Sequence, residues 1–279
     1  MSMRNTARLT ACFALALAVG ASTASAQYKQ YPTGQPATGE RYHVEAAFGL
    51  WSPTPELLVS SESLGIVGTE IDGVADLGME KTRFTEFRVV LRPGKKHKLR
   101  FQYIPILFEA EQPRLQRAIV FNGIKYNVGV PVNSSLDWKA YRFSYEYDFI
   151  YRDRGFLGFV VDAKYTDVEV NLQSPVLPDP EYTRARAPIP ALGLIGRVYP
   201  LGNVSLTAEL TGFKLPASVD EQERYDGKYI DFDIYGTLNL TNNFGVQAGY
   251  RSIDVMYKVD EDNGDFRLKG LYFMGVARF

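Results

Sequence analysis

Two histidines and a recurring set of charged residues are the groups in this chain whose types and spacing could do chemistry. His43 stands two residues before Glu45. On an extended strand that spacing puts both side chains on one face, as an acid–base pair would need. His97 follows the turn residues 93–96. Asp260-x-Asp262-x-Gly264 opens like a calcium loop, but Leu271 stands where the bidentate Glu would be. An Asn263–Gly264 hairpin turn accounts for the same residues. The sequence has no Cys/His cluster, phosphate-cradling glycine loop or nucleophile elbow. No metal or cofactor is therefore expected. The remaining charges recur with a period of two. The acids are Glu45, Glu86, Glu146, Asp148, Asp162, Glu209, Asp231 and Asp233; the bases are Arg88, Arg100, Arg142, Lys164, Arg197, Arg251 and Arg278.

Alternating segments carry these residues, and ten can be counted: 42–51, 84–92, 98–107, 141–151, 156–166, 191–199, 204–213, 229–240, 244–257 and 267–279. The fourth is the clearest. Tyr141, Phe143, Tyr145, Tyr147, Phe149 and Tyr151 line one face, with Arg142, Ser144, Glu146 and Asp148 on the other. Such alternation excludes a helix. So many aromatics in line also ask for a larger apolar partner than a soluble sandwich offers. In the first segment Tyr42, Val44, Ala46, Phe48 and Leu50 oppose His43, Glu45, Ala47 and Gly49. Four connectors are tight: 93–96, 152–155, 200–203 and 241–243. The others, 52–83, 108–137, 167–188, 214–228 and 258–266, are longer. Short turns on one side and long loops on the other characterise outer-membrane barrels, with the short turns periplasmic. Within the long loops, residues 119–132 read as a hairpin arm with an Asn122–Gly123 turn, projecting beyond the membrane. Val168, Val170 and Leu172 read as out of phase with the strand before them, which implies a bulge. The first loop reads as a short helix or a folded lid.

The bulk numbers agree with that pattern. Residues 1–26 read as a signal peptide: Arg4 and Arg8, a short apolar run over 10–19, and an Ala24-Ser25-Ala26 cleavage site. Residues 27–41 read as a flexible periplasmic leader, and 42–279 as the barrel. The one cysteine, Cys12, leaves with the signal. Past the signal there is no apolar run long enough for a membrane helix. Tyr and Phe number 18 and 17, and the net charge is -1. That charge gives no field for a nucleic-acid partner. The expected fold is all-β: a closed antiparallel up-and-down transmembrane β-barrel of about 10 strands, with 8 or 12 as alternatives.

The segment 270–279 alternates to Phe279, with Phe273 on the same face. An exported chain that carries such a segment resembles the bacterial outer-membrane β-barrel proteins, in the broad OmpA-like and OmpW-like group of small barrels. The resemblance implies the outer membrane of a Gram-negative envelope, with lipid and lipopolysaccharide as surroundings. It also implies an insertion machinery that reads Phe273 and Phe279. By parity the fifteen charges face the lumen, and their signs nearly balance. A buried network of ion pairs is expected, because an unpaired charge there is costly. The function expected first is a non-enzymatic barrel with a mostly occluded, charge-balanced lumen, serving structure or small-solute passage. A surface binding or adhesion module on the long loops, an open porin-like pore and, last, a rim hydrolase are the alternatives. Both histidines fall at the periplasmic end, away from the rim such a hydrolase would use.

Overall fold

In a computed structural model, residues 36–60, 68–110, 114–121, 123–174, 181–215, 225–259 and 262–279 are described. The alternation seen in the sequence becomes ten long antiparallel strands, each hydrogen-bonded to its neighbours in sequence order. They are β1 (Val44–Ser60), β3 (Phe84–Gly94), β4 (His97–Ala110), β7 (Asn133–Arg152), β8 (Gly155–Gln173), β9 (Glu181–Leu201), β10 (Val204–Lys214), β11 (Tyr225–Asn239), β12 (Phe244–Val259) and β13 (Asp262–Arg278). Three short strands complete the set: β2 (Ile71–Asp72), β5 (Ile119–Phe121) and β6 (Ile124–Tyr126). β13 pairs back onto β1 from Glu45↔Arg278 to Ser60↔Asn263, which closes the sheet. Closure leaves no unpaired edge, the condition for a sheet surrounded by hydrocarbon.

The strands run well past the segments read from the sequence, and polarity inverts along their length. On the lower part of β8, Leu157, Phe159, Val161 and Tyr165 point outward and are exposed, while Asp162 and Lys164 point inward and are buried. Higher up, the outward positions become Asp167 and Glu169, paired with Arg184 and Arg186 of β9. The inward ones become Val168, Val170 and Leu172, all buried. β8 keeps unbroken register with β9 from Gly155↔Val198 to Leu172↔Glu181. The out-of-phase bulge expected at Val168–Leu172 is therefore absent. The side facing in never changes; what changes is the medium outside. Below, lipid takes the apolar face. Above, water takes the polar face, and the interior is apolar like that of a soluble protein. Tyr103, Tyr141 and Tyr165 stack in a row near this changeover, with centroids 4.7 and 6.3 Å apart. Interfacial aromatics of this kind mark a bilayer boundary.

Other expectations also change. β7 has an irregularity between Tyr147 and Ile150. Ile150 points out, whereas Tyr151 turns toward Phe156 and Arg92, breaking the expected aromatic row. The chain crosses over before β1: Tyr42 is buried inside and His43 is exposed, the reverse of the alternation read there. Asn263 and Gly264 are ladder residues opposite Lys258 and Tyr257, so no hairpin turn lies at them. Asp260 of the calcium-like motif lies outside the described residues, as do the signal segment 1–26 and residues 27–35 of the leader.

The apolar band makes the first prediction. Phe143, 54% exposed, sits on the outward face of β7 two residues below Tyr141. Because Phe143 lies just inside the boundary marked by Tyr141, Phe143→Arg should impair folding into vesicles by about 1–2 kcal/mol, between the interfacial and midplane costs of an arginine. Phe143→Leu should be nearly neutral. A urea titration of the two variants in lipid distinguishes them, and equal midpoints would mean that this face does not meet lipid. The inward neighbour Ser144 offers no tolerant control for an added arginine. It is buried across from Arg100, in a tier already filled with Arg142 and Lys98.

Candidate functional site

The interior has two tiers. The lower tier, enclosed by the apolar band, holds charge. Nine carboxylates are buried there (Glu40, Glu45, Glu86, Glu146, Asp148, Asp162, Glu209, Asp231, Asp233). Nine cations meet them: Arg88, Arg92, Lys98, Arg100, Arg142, Lys164, Arg197, Arg251 and Arg278. Strand alternation aims them inward, and the strand ladder brings distant parts of the chain within reach. Glu86 accepts from Arg88 Nε at 2.5 Å, from Arg251 Nη1 at 2.9 Å and from the Gln102 amide. Asp233 accepts from Arg251 Nη2 at 2.9 Å, Arg88 Nη2 at 3.2 Å and the Tyr272 hydroxyl at 2.8 Å. Glu209 takes Arg100 at 2.8 Å and Arg142. Glu146 takes Lys98 at 2.5 Å and Arg100 at 3.2 Å, and Lys98 also reaches Asp148 at 2.9 Å. Lys164 joins Asp231 at 2.7 Å, Arg142 joins Asp162 at 2.9 Å, and Arg278 joins Glu45 at 2.6 Å.

All fifteen charges singled out from the sequence thus lie in this tier. Residues missed on the same reading complete it. Lys98, Gln102, Tyr229, Tyr235 and Tyr272 are buried inward. Arg88 lies over the rings of Tyr272 and Tyr235 at 4.9 and 5.7 Å, and Lys164 Nζ lies 4.4 Å from the Tyr229 ring. Parity alone could have found Tyr229, Tyr235 and Tyr272, since the first two share the face of Asp231 and Asp233 on β11 and the third shares that of Arg278 on β13. Glu40 had no such signal, because it precedes the first strand.

Residues 36–41, read as the end of a flexible leader, fold into the mouth of the barrel at its short-turn end. Ala37 N donates to Asp153 O at 3.2 Å and Thr38 N to Gly202 O at 2.9 Å, tying the segment to two of the short turns. Gly39 adopts φ +82°, and a Cβ there would meet Asn239 Oδ1 at 2.7 Å and Arg278 Nη1 at 2.8 Å. A side chain would thus be strained and would also collide.

The upper tier is apolar. Trp51, Phe84, Phe108, Leu136, Trp138, Val170, Leu172, Phe266 and Leu268 come from the strands. Ile71, Leu77 and Met79 come from the first loop, and Leu115, Ile119, Phe121, Tyr126 and Val132 from the second. The expected hairpin forms as β5–β6, with Gly123 at φ +80°. It does not project: Ile119, Phe121 and Tyr126 are buried in this cap, because an isolated two-stranded arm with an apolar face is not stable in water. The first loop is likewise folded against the cap, with β2 on β1, and contains no helix among its described residues.

Arg117 of the second loop ties the two loops together. Its Nε donates to Asp76 Oδ1 at 2.8 Å and its Nη2 to Asp76 Oδ2 and Glu70 O, each at 2.5 Å. The hydrogen bond from Arg117 holds the Asp76 carboxyl below its ordinary range. The contribution of the pair is therefore complete above the ordinary carboxylate pKa and is lost as pH falls through the lowered one. The pair is partly exposed, so the expected effect is about 0.2–1 kcal/mol. Proteolysis of the loops should quicken on acidification, and Arg117→Ala should flatten that dependence. An identical pH profile in both proteins would count against it.

The histidines lie elsewhere. His97, at the short β3–β4 turn, is 2.7 Å from the Tyr145 hydroxyl through Nδ1. His43 Nδ1 is 3.4 Å from Arg92 O. Neither is in the lumen, so the inward face expected for His43 beside Glu45 does not exist. Phe273 and Phe279 face outward, 64% and 71% exposed. Among the described residues no cluster of His, Cys, Asp and Glu is arranged to hold a metal ion.

No family model matches the chain, and no curated protein matches it. Solved structures do. The outer-membrane protease OmpT from Escherichia coli superposes with a TM-score of 0.55 at 8% identity, over 91% of this chain and 100% of that one. The fold is that of a bacterial outer-membrane β-barrel. More remote likenesses are the toluene transporter TodX of Pseudomonas putida (TM-score 0.37, 9% identity, 88% of this chain and 93% of that one) and the attachment invasion locus protein Ail of Yersinia pestis (0.35, 8%, 83% and 99%). At 8% identity the likeness to OmpT carries fold and no activity. For an outer-membrane barrel the lower tier is the transmembrane one, and the loop-covered apolar tier stands outside the bilayer.

Proposed function

We propose that this chain is a non-enzymatic barrel exported through a cleaved signal to the outer membrane, where a filled interior makes it a structural element of the envelope rather than a pore. The filling of the lumen carries the reading. Paired charge occupies the transmembrane tier, and an apolar cap covers it. The cavity among the charges is about 30 Å³ and the one within the cap about 10 Å³. Each is on the scale of a water molecule or less. Selective wide pores show rings of one charge sign, whereas here charges of both signs intermingle and form ion pairs.

Two further roles belong to the same proposal. The outward Phe273 and Phe279 serve insertion. The charged residues above the band, such as Arg184, Arg186, Arg267 and Lys269, face the headgroups of the outer leaflet and its lipopolysaccharide. OmpT is named as a protease; at 8% identity that activity is not carried over, and the two histidines of this chain sit at the periplasmic end.

Planar-bilayer recording of the purified, heat-modifiable protein tests the reading. Silence over long recordings is expected. A steady multi-ion conductance would overturn the closed lumen and favour passage of small solutes.

A further inference from the structure

Glu40 is the one carboxylate of the lower tier that does not come from a strand. It is 5% exposed. Its Oε1 accepts from Arg197 Nη1 at 3.0 Å and from the Tyr199 hydroxyl at 2.8 Å, and its Oε2 from Arg92 Nη1 at 3.3 Å. Among the described residues, Arg92 and Arg197 have no other carboxylate partner. Arg197 otherwise bonds to Thr207 and Tyr235, and Arg92 to the carbonyls of Glu40 and Lys95. Each other cation of the tier pairs with a carboxylate of the wall itself. The wall alone thus leaves two buried guanidinium groups uncompensated at its short-turn mouth, a costly arrangement without an anion.

The segment that supplies the anion is lightly held. Among the described residues, besides the Glu40 side chain, its hydrogen bonds to the wall are the backbone bonds of Ala37 and Thr38, one bond from Gly39 N to Asn242 Oδ1 at 3.2 Å, and Arg92 to Glu40 O at 2.5 Å. None belongs to a strand ladder, so the segment can leave without unpairing the barrel. The cavity of about 30 Å³ lies directly beside this site, with Tyr42, Lys98 and Arg197 in its lining.

We propose that Arg92, Arg197 and Tyr199 form a carboxylate-binding site at this mouth of the barrel, with Glu40 as its tethered occupant and a short free carboxylate as the ligand that takes its place once the Glu40 carboxyl is removed. Two planar guanidinium groups and a phenol hydroxyl match the two oxygens of a carboxylate, whereas a spherical anion can satisfy only part of the set. Arg92 and Arg197 bring two positive charges to the site, and the Tyr199 hydroxyl donates a third hydrogen bond. The site therefore favours an ionised acid. The inference does not depend on whether the lumen conducts.

The test is chemical rescue of Glu40→Ala in the full chain. The midpoint of heat modification in detergent is followed against sodium acetate, with sodium chloride at equal ionic strength as the other arm. Glu40→Ala should melt lower than the wild type, and acetate should restore half or more of the deficit in a saturable way. Chloride should not. Wild type and Glu40→Gln, in which the site stays filled, should not respond to acetate. No rescue, rescue by chloride as well as by acetate, or an equal response of Glu40→Gln would each overturn the site. If Glu40→Ala does not fold in chloride, the refolding yield is read instead: recovery in acetate supports the site, and failure in both salts overturns it.

Discussion

Arg251→Met should destabilise the barrel by about 3–5 kcal/mol, the largest loss expected from a single lumen substitution. Arg251 is 1% exposed and bridges two carboxylates, Glu86 through Nη1 and Asp233 through Nη2, each at 2.9 Å. Its Nε lies 3.6 Å from Asp231. Methionine keeps most of the volume, so the loss reports charge rather than a cavity. What remains is a dry cluster of carboxylates short of one cation. Arg88 still serves Glu86 and Asp233 but cannot replace both forks. Arg251→Lys should recover only part of the loss, because one ammonium cannot span both partners with the same geometry. Urea unfolding in lipid vesicles measures this. A loss below about 1 kcal/mol would mean that the tier is wet enough to solvate the orphaned charge.

Phe108→Ala should cost about 3–5 kcal/mol, but in the cap. Phe108 is fully buried and meets Phe84 edge-on, with centroids 5.1 Å apart and planes at 86°. Phe84 in turn meets Trp51 at 6.4 Å. The truncation leaves a void among residues that hold both long loops down. Local opening should rise by roughly two to three and a half orders of magnitude, at about tenfold per 1.4 kcal/mol. Limited proteolysis within residues 114–132 should accelerate accordingly, while the folded, unboiled gel band persists. Loss of that band together with cap cleavage would show that the two tiers unfold as one, and the division between them would fail.

These effects separate because the tiers rest on different forces. Charge satisfaction specifies the transmembrane tier, where the surrounding lipid offers an apolar side chain little gain from turning inward. The hydrophobic effect specifies the cap, which stands in water. The changeover between Tyr165 and Asp167 outside coincides with that from Lys164 to Val168 inside. Read along the chain, the inward switch looks like a slip in phase, and the bulge expected there follows from assuming one inside polarity throughout.

Ten strands, their order, the tight turns and the inward parity of fifteen charges were legible in the residues alone. A strand in lipid must alternate, tight turns need Gly, Asn and Pro, and period two leaves each side chain only two directions. Partner choice was not legible: Glu86 and Arg251 are 165 positions apart, and only barrel closure brings them within 2.9 Å. The turning of Tyr151, the crossover at Tyr42 and His43, and the folding of the β5–β6 hairpin into the mouth depend on what lies across the lumen. Glu40 is the clearest case. Its neighbours in sequence are polar turn residues without periodicity, yet two arginines left over by the closed wall draw it in, and that surplus exists only once the wall has closed.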